Sequence, residues 1–369
     1  MASERKERYG FLDGLRGWAS LAVVFWHVFI EVYPISPGSA NILKLLPPSN
    51  GIFAVNLFFV ISGFALSIAY VKRHDFKLLA RIAASRYLRL AIPIFAACML
   101  VHFAMTSGII PPVELRAGPH KRFLLFDSTF VHLVTFSLFD VFFRFSFDQT
   151  YIPPLWTMPI ELKGSMITLV LLAVLGRHKR SLWICGTALF FVLVFRNSSY
   201  CLFVAGMIMA SIYVSRDFSG MHYQVLLWGG FLLGLLTPFL TNNQKSPFYL
   251  TAIIIFFGSA LWIVPIRQFF ENRTSHFLGR ISFPLYLLHG PVLWTFSLWF
   301  KTMLAPFALA NGTINFVVGF VTVFVSIGAA IAFSPVNDFA IYVSRGFGVW
   351  LVSSIEFGLK RIMNLVLPR

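Results

Sequence analysis

The segment "LDGLRGWASLAVVFWHVF" (residues 12–29) decides how this chain is read. It is apolar almost throughout, yet it begins around Arg16 and encloses His27. A helix that crosses a bilayer needs about 20 such residues. Ionisable side chains inside one are costly and call for a reason. Arg16 and His27 are separated by about 1100° of helical rotation, so they share a face, about 16.5 Å apart along the axis. With Arg16 at the cytoplasmic edge, His27 falls near mid-membrane, where a neutral imidazole can accept a proton. A core histidine bonded to a neighbouring helix, with Arg16 as an interfacial anchor, accounts for the spacing equally well.

The rest of the chain places this segment in lipid. Of 369 residues, 58% are hydrophobic and 12% are charged, against about 25% charged in soluble domains. Forty-three phenylalanines and nine tryptophans suit lipid contact and membrane interfaces. The fold class expected is all-α, a polytopic membrane helix bundle. The formal charge of +16 is read through the positive-inside rule and not as a nucleic-acid footprint. Cys98, Cys185 and Cys201 lie in or beside apolar runs and read as small hydrophobes, so no metal site and no disulfide framework is expected.

About ten spans are expected, over 14–35, 51–71, 88–108, 155–176, 182–196, 200–214, 224–241, 249–266, 281–301 and 313–334. Lysines and arginines concentrate at 5–16, 72–89, 177–180, 267–280 and 345–369, which puts both termini in the cytoplasm. The Phe-rich stretch 123–145 carries Asp127, His132, Asp140 and Arg144, and reads as an interfacial or re-entrant helix on the opposite face. One membrane domain is expected to fill 1–369, its motif-bearing core covering about 9–335 and its tail, 345–369, a helix on the cytoplasmic surface.

Further polar groups recur inside the apolar runs. In "SRYLRLAIP" (85–93), Arg86 and Arg89 share a helix face and suit phosphate or pyrophosphate. A plain positive-inside anchor is the competing reading. In "PPLWTMPIELKGS" (153–165), Glu161 and Lys163 fall within a span, off-face for a good pair. "FFVISGF" (58–64) offers Ser62 and Gly63 for close packing or a slender ligand. "GRISFPLYLLHGP" (279–291) begins with Arg280 at the cytoplasmic end of a span and holds His289 inside it.

These stretches, in this order and at these separations, resemble the acyltransferase-3 family of integral membrane O-acyltransferases. The resemblance covers about residues 9–335, and "WTMPIELKGS" is most similar to fungal members, with Leu162 where bacterial ones usually have a second acidic residue. It implies transfer of an acyl group, commonly acetyl from acetyl-CoA or another acyl-CoA, to a hydroxyl of a sugar, lipid-linked or small-molecule acceptor. Carried over, His27 is the essential histidine, Arg16 its partner, Arg86 and Arg89 the arginine pair, and Glu161 the acidic residue of the tryptophan–glutamate motif. On that basis the catalytic candidates are His27, Arg16 and Glu161, and the donor-binding candidates Arg16, Arg86, Arg89, Arg280, Ser62 and Gly63. Nothing matches the soluble esterase-like domain of some bacterial members. An endomembrane or plasma-membrane address follows from the fungal-like phrasing. The alternative is a transporter or flippase with a midplane polar pathway, which the lack of repeat symmetry opposes.

Overall fold

The structure, a computed structural model, describes residues 9–366 except 37, 114–120, 122, 242, 245 and 308, with side chains described for all of these but 48 and 359–366. The basic cluster at 5–8, part of the outer segment and residues 367–369 of the tail therefore lie outside the described residues.

Helices begin where side chains satisfy the first backbone N–H groups. Asn50 caps α3 (Gly51–Arg73), accepting from Phe53 N at 2.8 Å, and Asp75 caps α4 (Phe76–Thr106), accepting from Lys77 N at 2.8 Å. His74 ends α3 in the left-handed region at φ 49°. Ahead of them, α1 (Gly10–Phe25) widens into a π-helical turn, Trp26–Val32, and α2 (Ser39–Leu45) is a short connector.

Six helices are long and apolar enough to cross a membrane: Gly10–Val32, Gly51–Arg73, Phe76–Thr106, Pro153–Leu175, Met221–Leu240 and Asn311–Gly358. Pro153–Leu175 combines a 3-10 turn with α7 (Met158–Leu175), and Met221–Leu240 is α10. Two further spans are broken. α11 (Pro247–Trp262) meets α12 (Val264–Phe270) at 92°, and α13 (Arg273–Trp294) meets the segment containing α14 (Phe296–Leu304) at 42°. The expected spans at 182–196 and 200–214 are helical, as α8 (Lys179–Phe195) and α9 (Tyr200–Ser215). At 17 and 16 residues they fall short of the hydrocarbon thickness. Among the described residues, six to eight spans are thus long and apolar enough to cross by themselves, and the two short expected segments account for the rest of the ten. α9 tolerates its length because Cys201–Met207 is buried among other helices.

The two ends of the bundle are marked by contacts. Lys72 lies over the Tyr9 ring and Arg267 over Phe11, forming a basic end. At the far end Asn315 donates to Pro34 O, and Gly51 packs on Trp26.

The Phe-rich stretch is re-entrant. α5 (Phe130–Thr135), a π turn at Phe136–Asp140 and α6 (Val141–Phe143) descend along α4 from the far end. Ser128 bonds His102 at 2.7 Å, Tyr87 donates to Leu138 O, and buried Tyr151 then returns to His132 at 3.0 Å. The tail forms no separate surface helix beginning at 345. α15 (Asn311–Val366) runs through it unbroken, and its C-terminal part lies against the first turns of α4, where Glu356 pairs with Lys77 at 2.8 Å.

Candidate active site

α1 and α13 touch backbone to backbone. A Cβ on Gly17 would lie 2.5 Å from Gly279 N, and one on Gly279 would collide with Asp13 O. Small residues permit this approach. The next side chains along, Arg16 before Gly17 and Arg280 after Gly279, therefore converge on one cavity.

That cavity has a volume of about 230 Å³. Asp13, Arg16, Gly279 and Arg280 wall it toward the basic end, and Val55, Thr157 and Tyr286 toward the far end. Arg86, Arg89, Ser62 and Glu161 line it between, and α15 closes it with Asn337, Asp338 and Ile341. Arg16, Arg86, Arg89, Arg280, Ser62 and Glu161 are thus brought together. Ser62 lies midway along α3, so this part of the cavity is deeper than the cytoplasmic edge assigned to the arginine pair. Gly63 is turned away, pressed against the Phe203 backbone of α9, and serves packing.

The cations differ in their partners. Arg86 pairs with Glu161 and donates from Nε to Ser165 Oγ at 2.9 Å, while Ser62 Oγ donates to Glu161 at 2.7 Å. Arg86 is therefore occupied. Arg16, Arg89 and Arg280 have no hydrogen bond or ion pair among the described residues, and Arg89 and Arg280 are exposed. Arg89 and Arg280 each precede a proline by four residues (Pro93 and Pro284), which removes the amide that would cap the arginine's carbonyl. The site thus presents guanidinium forks without protein partners to whatever enters it.

His27 stands elsewhere. It sits on the π turn that ends α1, at the level where Trp26 meets the first residue of α3, near the far end and not at mid-membrane. It does not line the cavity. Its Nδ1 lies 2.7 Å from Glu31 Oε2, and Glu31 Oε1 accepts from Trp26 Nε1 at 2.9 Å. An ionised carboxylate only accepts, so in this pair Nδ1 donates and Glu31 fixes the orientation of the ring. The His27 ring stacks on His289 at 5.2 Å, and His289 lies 6.2 Å from Tyr286 in the cavity wall. Glu161 holds Arg86 and does not reach the imidazole. Lys163 faces away from the cavity.

Several residues here escaped the sequence reading. Glu31 was legible as the (i, i+4) neighbour of His27, and Asp13 as the (i, i+3) neighbour of Arg16. Asn337 and Asp338 carried a visible signal too, adjacent polar residues within an apolar run. Tyr286, whose hydroxyl bonds Thr157 Oγ1 at 2.6 Å, resembles any core tyrosine in sequence. No group of three or more His, Cys, Asp or Glu side chains arranged to hold a metal occurs among the described residues.

These features describe an all-helical membrane protein with an arginine-lined cavity between its helices and a carboxylate-bound histidine beyond it. Comparison with known proteins says which kind. Residues 9–334 match the acyltransferase-3 family model, described as an acyltransferase domain. The chain is also similar to the O-acetyltransferase PaAT-1 of Phomopsis amygdali, 26% identical over an alignment 364 positions long that covers 77% of this chain and 72% of that protein. No solved structure matches it. The chain belongs to the acyltransferase-3 family and is a membrane O-acyltransferase.

Proposed function

We propose that the donor is an acyl-CoA, most simply acetyl-CoA, and that the acceptor is a hydroxyl brought to His27 from the far end. The observation that carries this reading is the set of unpaired guanidinium groups, Arg16, Arg89 and Arg280, facing one cavity. Coenzyme A carries a pyrophosphate and a 3′-phosphate, which such forks hold in bidentate fashion. Arg86 and Glu161 neutralise each other and keep the wall in place. The thioester arm then lies along Val55 to Ser62 and Thr157 to Tyr286, directed toward His289 and His27.

At that end His27 Nε2 takes the proton of the acceptor hydroxyl while its oxygen attacks the thioester carbonyl. The carbon–sulfur bond breaks, coenzyme A leaves as the thiolate, and the ester remains on the acceptor. Glu31 stabilises the imidazolium formed in this step. An acetyl group on a sugar, lipid-linked or small-molecule hydroxyl fits the name of the Phomopsis relative.

The test is transfer of radiolabelled acetyl from acetyl-CoA to membrane and small-molecule extracts, comparing wild type with His27→Ala at matched expression. Label in a wild-type product that vanishes with the variant supports the reading and identifies the acceptor class. Equal transfer by both reduces His27 to a packing residue.

A further inference from the structure

Acyl transfer gathers negative charge on the thioester carbonyl oxygen as the acceptor attacks. A fixed hydrogen-bond donor at that oxygen supplies much of the rate of such a step. The arginines line the basic end and the middle of the cavity. Attack on the thioester belongs to the other end, toward His27. There Val55 and Phe58, whose ring meets that of Tyr286 edge-on at 6.4 Å, offer no donor. Two hydroxyls do, those of Thr157 and Tyr286.

Counting protons sets the order of this pair. Thr157 Oγ1 and Tyr286 Oη lie 2.6 Å apart, so one donates to the other. Tyr286 has a single hydroxyl proton and gives it to Pro154 O. Thr157 is therefore the donor of the pair, and the chain runs from Thr157 to Tyr286 to a carbonyl. Thr157 also approaches Pro154 O at 3.2 Å, a longer and weaker branch. A hydroxyl that accepts one hydrogen bond donates the next one more strongly.

The partner of this chain is informative. Pro154 O is an uncharged carbonyl oxygen, the same kind of acceptor that a thioester presents. Thr157 and Tyr286 are 4% and 6% exposed, so little water competes for the donated proton. The Tyr286 ring also lies 6.2 Å from that of His289, which stacks on His27 at 5.2 Å. The hydroxyl pair thus stands where the cavity adjoins the histidines.

We propose that Tyr286 is the oxyanion donor of the transfer step, exchanging Pro154 O for the thioester carbonyl oxygen, and that Thr157 is its positioning residue. As the acceptor oxygen bonds to the carbonyl carbon, the electron pair of the C=O bond moves onto oxygen, where the Tyr286 hydroxyl holds it. The pair returns as the carbon–sulfur bond breaks and coenzyme A leaves as the thiolate. Tyr286 keeps its proton throughout. This assignment deepens the reading of an acyl-CoA donor and a His27 base, and rests on it.

The test uses the full chain purified in detergent, with acetyl-CoA carrying ¹³C at the thioester carbonyl as the probe. The infrared band of the bound carbonyl is expected at lower frequency in wild type than in Tyr286→Phe. In labelled acetyl transfer, Tyr286→Phe should lose about 10²–10³ in kcat with the acetyl-CoA KM little changed. Thr157→Val loses less, and Thr157→Ser recovers most of that loss. A carbonyl band at the same frequency in wild type and Tyr286→Phe, or a wild-type kcat in that variant, overturns the proposal and leaves Tyr286 as cavity wall. If Tyr286→Phe is not monodisperse, the two Thr157 variants carry the test, and wild-type kcat and band in Thr157→Val overturn it. Failure of the donor reading looks different: wild type then shows no bound carbonyl band at all, and the assignment falls with that reading.

Discussion

Arg89→Ala isolates the role given to the cavity. Arg89 lies one helical turn from Arg86 on α4 and lines the same cavity, yet makes no hydrogen bond or ion pair among the described residues. Truncating it breaks nothing within the protein, so folding is expected to be unaffected. Arg86→Ala is different: it leaves Glu161, whose side chain is 12% exposed, without its cation, at a cost of about 3–5 kcal/mol. If Arg89 grips a donor phosphate, its loss removes a charge-assisted hydrogen bond of about 1.5–3 kcal/mol. That is roughly a 10- to 150-fold rise in the KM for acetyl-CoA, with kcat little changed. Initial rates of labelled acetyl transfer across a range of acetyl-CoA concentrations measure it, with size-exclusion chromatography as the folding control. Raising ionic strength should narrow the difference between variant and wild type. A KM within twofold of wild type, or a lowered kcat at unchanged KM, would refute the reasoning.

Other expectations follow from the same geometry. His27→Ala should lower kcat by about 10²–10⁴ and leave the acetyl-CoA KM unchanged, as steady-state rates will show. Glu31→Gln should lower kcat by about 10² through loss of the Nδ1–H acceptor, again without a change in donor KM, and Glu31→Asp should recover part of it. In thermal melts, Arg86→Ala and Glu161→Ala should each lower Tm, and the double variant should melt above either single one, because neither charge is left stranded. Gly17→Ala should destabilise by about 1–3 kcal/mol, since its Cβ meets backbone, and should raise the donor KM by parting Arg16 from Arg280; a wild-type KM in a stable Gly17→Ala protein counts against that convergence.

What was legible in the sequence was local. Hydropathy located every long helix, and capping residues such as Asn50 and Asp75 sit where the helices begin. The cationic set was legible as well, because arginines in apolar runs are conspicuous. What escaped depends on tertiary placement. The bends between α11 and α12 and within the α13 segment carry no hydropathy signature, and the shortness of α9 is tolerable only because neighbours bury it. The level of His27 was misjudged because it was measured from an assumed membrane edge. Trp26 meeting Gly51 shows that the imidazole lies near the far end. The partners of Glu161 were not legible, since which of several distant groups it meets is decided by how α3, α4 and α7 pack.

The most direct test of the central claim, that the arginines hold the donor and the histidine performs the transfer, is the rate of labelled acetyl transfer at saturating acetyl-CoA for wild type, Arg89→Ala and His27→Ala. The account predicts that saturation restores Arg89→Ala to near the wild-type rate and leaves His27→Ala at background. Wild-type transfer by His27→Ala, or an Arg89→Ala defect that no donor concentration relieves, would contradict it.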